Sequence, residues 1–186
     1  TLQIRLIYDD TSVKTSRTKQ CLIQNLRTVC SSQNDDTLLA IKTIHLGKKL
    51  VECLLSFCHY CLNDDKLVDF IDFFEENGVG VINASPFSMG LLTERGVPDW
   101  HPAPKPLVEK CRQAAEYCKS VGYPIEKLAM QYSHANPRIA STVFSTTRPE
   151  NLLKNIGYVS EPLDMELVKK VQDIIGDQKR VSWANT

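Results

Sequence analysis

The chain has 186 residues, 42% of them hydrophobic and 24% charged, enough for one domain with a core of its own and typical of an ordinary globular protein. Lys+Arg and Asp+Glu both total 22, so the net charge is zero, whereas a nucleic-acid binder carries a basic excess. No apolar run reaches the length of a membrane span, and residues 1–20 carry charges throughout, without the apolar core of a signal peptide.

Residues 1–50 differ in character from the rest. Thr1 stands where an initiator Met would be, which implies a processed form or a start inside a longer protein. Residues 2–8 alternate as a strand does, residues 9–37 are polar without a firm apolar period, and 37–50 fit a short helix or strand. This stretch reads as a divergent, weakly ordered N-terminal segment, with a domain from 51 to 186. From there the signals strengthen. Residues 51–58 form a buried strand, and Asn63-Asp64-Asp65 marks a turn and helix cap. Leu67, Phe70, Ile71 and Phe74 fall at helical spacing until Asn77-Gly78.

A second strand, 79–84, ends in Ser85-Pro86. Four prolines, Pro98, Pro102, Pro104 and Pro106, punctuate the loop that follows. A helix over 107–121 presents Val108, Cys111, Ala115 and Cys118, and Gly122 ends it. Pro124 opens a helix over 125–135, with His134 facing solvent. A third strand covers 139–144. Pro149 opens a helix with Leu152, Leu153 and Ile156 inward, and Asp164 caps a last helix that Gly176 stops. A polar tail carries Trp183. Strands alternating with helices predict an α/β fold with parallel strands, outer helices and right-handed crossovers. In such folds ligands gather at the carboxyl ends of strands.

Two segments fall there. Ser85-Pro86-Phe87-Ser88-Met89-Gly90 offers small residues, amides and hydroxyls that suit a phosphate, or else a plain strand-ending turn. Ser145-Thr146-Thr147-Arg148-Pro149-Glu150-Asn151 places three hydroxyls and an Arg before helical amides, an arrangement that favours an anion beyond ordinary capping. His59 stands at a strand's end and His101 on the long loop. Each is a candidate proton carrier or substrate contact, and each has an ordinary structural reading. The seven cysteines include Cys58 and Cys61 at CxxC spacing, but no second ligand pair follows, so buried reduced thiols are expected and no metal is assigned. No Gly-rich dinucleotide fingerprint, Walker loop, HExxH or Gly-x-Ser-x-Gly elbow occurs.

Taken together, Leu55-Ser56-Phe57-Cys58-His59-Tyr60, the run 78–93, Trp100-His101-Pro102-Ala103 and Lys127-Leu128-Ala129-Met130-Gln131-Tyr132-Ser133 resemble the aldo-keto reductases, in the pattern of their plant L-galactose dehydrogenase branch. The resemblance runs from residue 51 to the C-terminus. It implies the C-terminal half of a (β/α)8 TIM barrel that binds a nicotinamide dinucleotide without a Rossmann domain. By that likeness Ser85, Phe87 and Ser88 clasp the cofactor pyrophosphate. Ser145, Thr146, Thr147, Asn151 and Asn155 hold the adenosine end. Ser56 lies near the nicotinamide, and Trp100 and His101 line the substrate mouth.

Family members that prefer NADP carry a Lys at the position of Ser145 and an Arg at Asn151. Their absence implies NAD, with Arg148 and Lys154 the cations that could reverse the preference. The family's catalytic Asp, Tyr, Lys and His come from the other half of the barrel. Residues 1–50 hold Tyr8-Asp9-Asp10 and His45 in surroundings that do not match, so no catalytic residue is assigned. The resemblance implies a truncated cytosolic enzyme whose intact form oxidises L-galactose to its 1,4-lactone with NAD, in ascorbate synthesis. This chain alone is expected to be inactive. The alternatives are action on another sugar or aldehyde, or a non-catalytic cofactor-binding or interaction module. A half barrel also implies open sheet edges.

Overall fold

The structure is a computed structural model that describes residues 3–4, 29–32, 52–146 and 148–183. Five strands, β1 (Gln3–Ile4), β2 (Val29–Ser32), β3 (Cys53–Phe57), β4 (Gly80–Ala84) and β5 (Ser141–Ser145), form one sheet in the order β1-β5-β4-β3-β2. The strands β2 to β5 are parallel, as the alternation of strands and helices requires. The exception is β1, which pairs antiparallel with β5 through Gln3↔Ser145 and Ile4↔Phe144. The sequence pattern did not foresee β2. Val29 to Ser32 lies in the polar stretch, yet pairs with β3 from Val29↔Cys53 to Ser32↔Ser56.

Helices α1 (Val68–Glu76), α2 (Lys105–Ser120), α3 (Ile125–His134), α4 (Pro149–Val159) and α5 (Met165–Ile175) follow the predicted order. The second starts two residues earlier than expected because Pro106 is accommodated in its first turn, where the missing N–H has no intrahelical acceptor to lose. Asp164 caps α5 by accepting the Leu167 N–H at 2.9 Å.

Side-chain alternation gives the sheet two faces. Leu54 and Val81 point to the helix side and pack with Leu67, Ile71 and Phe74 of the α1 region and with Ile139. Cys53 and Ile82 point to the other side with Leu55, Ala140 and Val143. A larger core joins α2, α3 and α5 through Leu107, Cys111, Ala114, Cys118, Ile125, Leu128, Val171 and Ile175.

Two expectations are corrected. Leu153 and Ile156 of α4 do not face inward: they are 70% and 40% exposed, and Asn155 is the residue of that helix that is buried. The helix packs against α3, and position 155, not the apolar pair, meets the body of the protein. His134 is half-buried rather than solvent-facing, and burial lowers its pKa.

Candidate functional site

Because β3, β4 and β5 are parallel and in register, Phe57, Ala84 and Val143 lie side by side at one edge. The chain is stitched together just beyond it. The Cys58 N–H donates to the Ala84 carbonyl and the Ser85 N–H to the Val143 carbonyl, both at 3.0 Å. The Cys61 thiol donates to the Ser85 carbonyl at 3.2 Å. The loop after β4 turns back at once, and that turn demands left-handed backbone at Ser85 (φ 65°), Ser88 (φ 50°) and Met89 (φ 57°). Three non-glycine residues in this region within five positions store strain, which persists only where surrounding structure holds it.

The loop's amides are used internally. Ser88 donates to the Ser85 carbonyl at 2.9 Å, Gly90 to the Phe87 carbonyl at 2.9 Å, and Met89 to the Ser85 hydroxyl at 3.0 Å. The Ser88, Met89 and Gly90 N–H groups are thus engaged within the loop itself. The Ser88 hydroxyl stays available: it is fully buried and without a hydrogen-bond partner. Phe87 is half-buried, its ring edge on to Phe144 at 6.0 Å, and wedges the loop against β5.

Ser56 is the next site candidate along the same edge. It shares the helix-facing parity of Leu54 and sits beside Asn83, buried and unpartnered. Asn83 donates to the Tyr60 carbonyl at 2.9 Å, Ser133 to the same carbonyl at 3.0 Å, and Thr142 to the Ser133 carbonyl at 3.0 Å. This buried polar layer ties β4, β5 and α3 to the loop after β3. Sequence reading missed it, although an Asn inside the apolar run Val79 to Ala84 was the available signal.

At the other segment Ser145 is exposed, and the Thr146 hydroxyl accepts the Arg148 N–H at 3.2 Å. Thr147 lies outside the described residues. Arg148, at the N-cap of α4, contributes no side-chain cap, which leaves the first turn to an anion or water. Arg148, Asn151 and Lys154 are exposed, and Asn155 is buried.

His59 pairs through Nδ1 with Asp64 Oδ2 at 3.0 Å. Asp64 also takes the Lys66 N–H at 3.0 Å, and the Ser182 hydroxyl lies 3.4 Å from its Oδ2. The tail after α5 is latched over this loop: Lys179 and Arg180 reach Asp65 at 2.8 and 2.6 Å, and Arg180 reaches Asp69 at 2.9 Å. His59 is thereby a structural partner of the loop. His101 accepts the Ala103 N–H at Nδ1 (3.1 Å), and Trp100 is 75% exposed.

Four cysteine thiols are held protonated by burial. Burial raises Cys58 and Cys111 to about 12 and Cys118 to about 11, and pushes Cys61 well up. Cys53, Cys58, Cys61, Cys111 and Cys118 are buried, and no His, Cys, Asp and Glu cluster fit for a metal occurs among the described residues. Nor is any described helix long and apolar enough to cross a membrane.

Burial lowers the pKa of His101 as well as that of His134. The unfolded chain, with imidazoles near about 6.5, therefore binds more protons than the folded one just below that pH. Stability is expected to be full above about pH 6.5 and to fall as pH drops through the window beneath it. Urea midpoints across that range should decline less steeply in His134→Gln.

Parallel strands, helices between them and ligand-suited loops gathered at the carboxyl edge define an α/β protein of the barrel class. Residues 19–175 match the model of the Aldo/keto reductase family, a span that begins well before the motifs at residue 55, and the chain belongs to that family. It is 41% identical over 137 residues to L-galactose dehydrogenase of Arabidopsis thaliana, which covers 72% of this chain and 43% of the relative. Its fold resembles that of aldo-keto reductase AKR11C1 from Bacillus halodurans in its holo form (TM-score 0.58, 21% identity, 81% of this chain and 52% of that one). It also resembles the glycerol dehydrogenase AKR11B4 from Gluconobacter oxydans (TM-score 0.54, 15% identity, 78% and 49%). The chain thus spans about half the length of the proteins it matches.

The family uses nicotinamide cofactors, and the residues present fit one at two points. One is the orphaned Ser88 hydroxyl beneath the strained loop, and the other is the uncapped start of α4 beside exposed Ser145. Asn155, buried nearly two turns further along α4, stands near the second point in sequence rather than at its surface.

Proposed function

We propose that this chain carries the cofactor-binding side of an L-galactose dehydrogenase type barrel, and that the complete barrel oxidises L-galactose to its 1,4-lactone. The observation that carries this reading is the 41% identity to the Arabidopsis enzyme across 72% of the chain. When bound, the dinucleotide supplies the hydride acceptor. Ser85, Phe87 and Ser88 hold its pyrophosphate side. Ser145, Thr146, Thr147, Asn151 and Asn155 take the adenosine side, with Ser56 behind the nicotinamide end. NAD is preferred over NADP because neutral Ser145 and Asn151 stand where a 2′-phosphate needs cations. Trp100 and His101 face the substrate.

No described residue supplies the catalytic set, so the 186-residue chain is expected to bind NAD saturably in calorimetry without oxidising L-galactose. Turnover by this chain would refute the second half of that statement, and absence of binding the first. Ser88→Gly sharpens the test. It relieves the left-handed strain and removes a buried unpaired hydroxyl, so stability should rise by about 1 kcal/mol. NAD affinity should fall in the same variant, the trade expected of a binding loop. Equal NAD affinity in wild type and variant would remove Ser88 from the site.

A further inference from the structure

The tail after α5 carries a hydroxyl that none of the roles above uses. Arg180 turns this tail in left-handed backbone (φ 65°) and donates its N–H to the Asn63 carbonyl at 2.8 Å. Lys179 and Arg180 then hold Asp65 and Asp69, and Trp183 lies edge-on to His101 at 5.5 Å. Residues 179–183 thus strap the loop after β3 to the turn before α2. The two cations of the strap remain 30% and 42% exposed, and ion pairs of that kind are individually weak in water, so the strap opens more readily than the core beneath it. Within it, Ser182 Oγ accepts from Lys66 Nζ at 2.5 Å and donates to Asp64 Oδ2 at 3.4 Å. Asp64 is fixed in place. Its side chain is 3% exposed and holds His59 and the Lys66 N–H, and its backbone pairs with Cys61 in both directions, at 2.7 and 3.2 Å.

From this arrangement we infer that Ser182 is a phosphorylation site and that a phosphate there releases the strap. The sequence presents the hydroxyl: Lys179-Arg180-Val181-Ser182 puts two cations three and two residues before it, the spacing that the acidic peptide groove of a basophilic serine kinase reads. The geometry supplies the consequence. In the transfer, Ser182 Oγ bonds to the γ-phosphorus of ATP, ADP leaves, and the hydroxyl proton passes to the kinase's base. The product lacks the O–H that Asp64 accepts and carries a charge of about −1.5 to −2. Around the strap, Asp64, Asp65 and Asp69 already match Lys66, Lys179 and Arg180 one for one. Lys66, the cation on Ser182, also lies 4.0 Å from Asp64, so it cannot neutralise a dianion and a buried carboxylate together. Repulsion moves the partner that is free to move, and Ser182 and Trp183 swing into water. His101 then loses the indole that lies against it.

The test treats the full chain with magnesium ATP and the purified catalytic subunit of the cyclic-AMP-dependent protein kinase, and locates phosphate by mass spectrometry. Phosphate is expected on Ser182 and should be missing from that position in Ser182→Ala. Release is read as the rate at which chymotrypsin cuts the bond after Trp183. Each rate is divided by that of a synthetic peptide of residues 176–186 bearing the same residue 182, which removes the protease's own preference. The phosphorylated chain should be cut at least about tenfold faster than the unmodified one, since cleavage follows the population of the open state. Ser182→Asp should be cut faster than Ser182→Asn by a similar factor, because the two share a shape and differ in charge. Adding Asp64→Asn to Ser182→Asp should restore most of the protection. No phosphate on Ser182 in the folded chain, a phosphorylated chain cut no faster than the unmodified one, or Ser182→Asn cut as fast as Ser182→Asp would each overturn the inference. Far-UV circular dichroism confirms that each variant is folded, and the comparison at Ser182 decides the matter even where Asp64→Asn fails to fold.

Discussion

Asn83→Asp is expected to leave the protein near wild-type stability at about pH 4 and to destabilise it by about 3 kcal/mol or more at about pH 7. Asn83 is fully buried between Ser56 and Thr142 in the sheet register, and its Nδ2 donates to the Tyr60 carbonyl at 2.9 Å. A protonated Asp can make that donation through its hydroxyl. An ionised one cannot, and it sets a charge against a carbonyl oxygen in a layer without a described cation. Burial and the lost donor hold the native carboxyl above its unfolded value of about 3.9. The sign follows. Between the two values the native state keeps a proton that the unfolded state has released, so stability is present below about pH 3.9 and is lost as pH rises through the native value. The measurement is the difference in urea-unfolding free energy between variant and wild type as a function of pH. A difference that does not change with pH would mean that position 83 is open to water. Asn83→Ala should show no such slope and a smaller cost, about 1–3 kcal/mol, because Ser133 still donates to the same carbonyl.

The polar layer around Asn83 also marks where sequence reading reached its limit. The strands β3, β4 and β5 and all five described helices were legible, because period-two and helical spacings are imposed by burial on one side of each element. The strand β2 was not. Val-Cys-Ser-Ser has little apolar content, and its strand conformation comes from the edge that β3 offers rather than from its own pattern. The parity of Ser56 was legible: it is two residues from Leu54, so it shares Leu54's helix-facing side.

At the carboxyl edge, the identity of the loop was legible but its hydrogen bonding was not. Residue types showed small polar groups after a strand, whereas only the fold shows Ser85, Ser88 and Met89 left-handed and their amides turned on one another. Likewise Trp100-His101 announced a candidate contact. The tautomer of His101 depends on Ala103, and its ring meets Trp183, which is brought across from the far end of the chain.

The largest loss of stability from a single truncation is expected at Phe74, and the sharpest contrast lies between it and Leu153. Both are apolar residues on helices, and pattern reading assigned both to the core. Phe74 has no exposed surface and meets Leu54, Val81 and Ile139 on the sheet's helix side, with Phe73 edge-on at 5.6 Å. Phe74→Ala forfeits the ring's transfer free energy and leaves a cavity that neighbours from two strands and a helix cannot close, a cost of about 3–5 kcal/mol. Leu153 keeps 70% of its surface in water, so Leu153→Ser removes little buried area and should change stability by less than about 0.5 kcal/mol. Paired urea titrations decide the matter, and the Phe74→Ala slope should match wild type if the denatured states are alike. A Leu153→Ser cost approaching that of Phe74→Ala would mean that the outer face of α4 is covered in solution by something beyond the described residues. A negligible cost confirms that α4 is held through Asn155 and its contact with α3, and that the apolar period of this helix points away from the core it was expected to join.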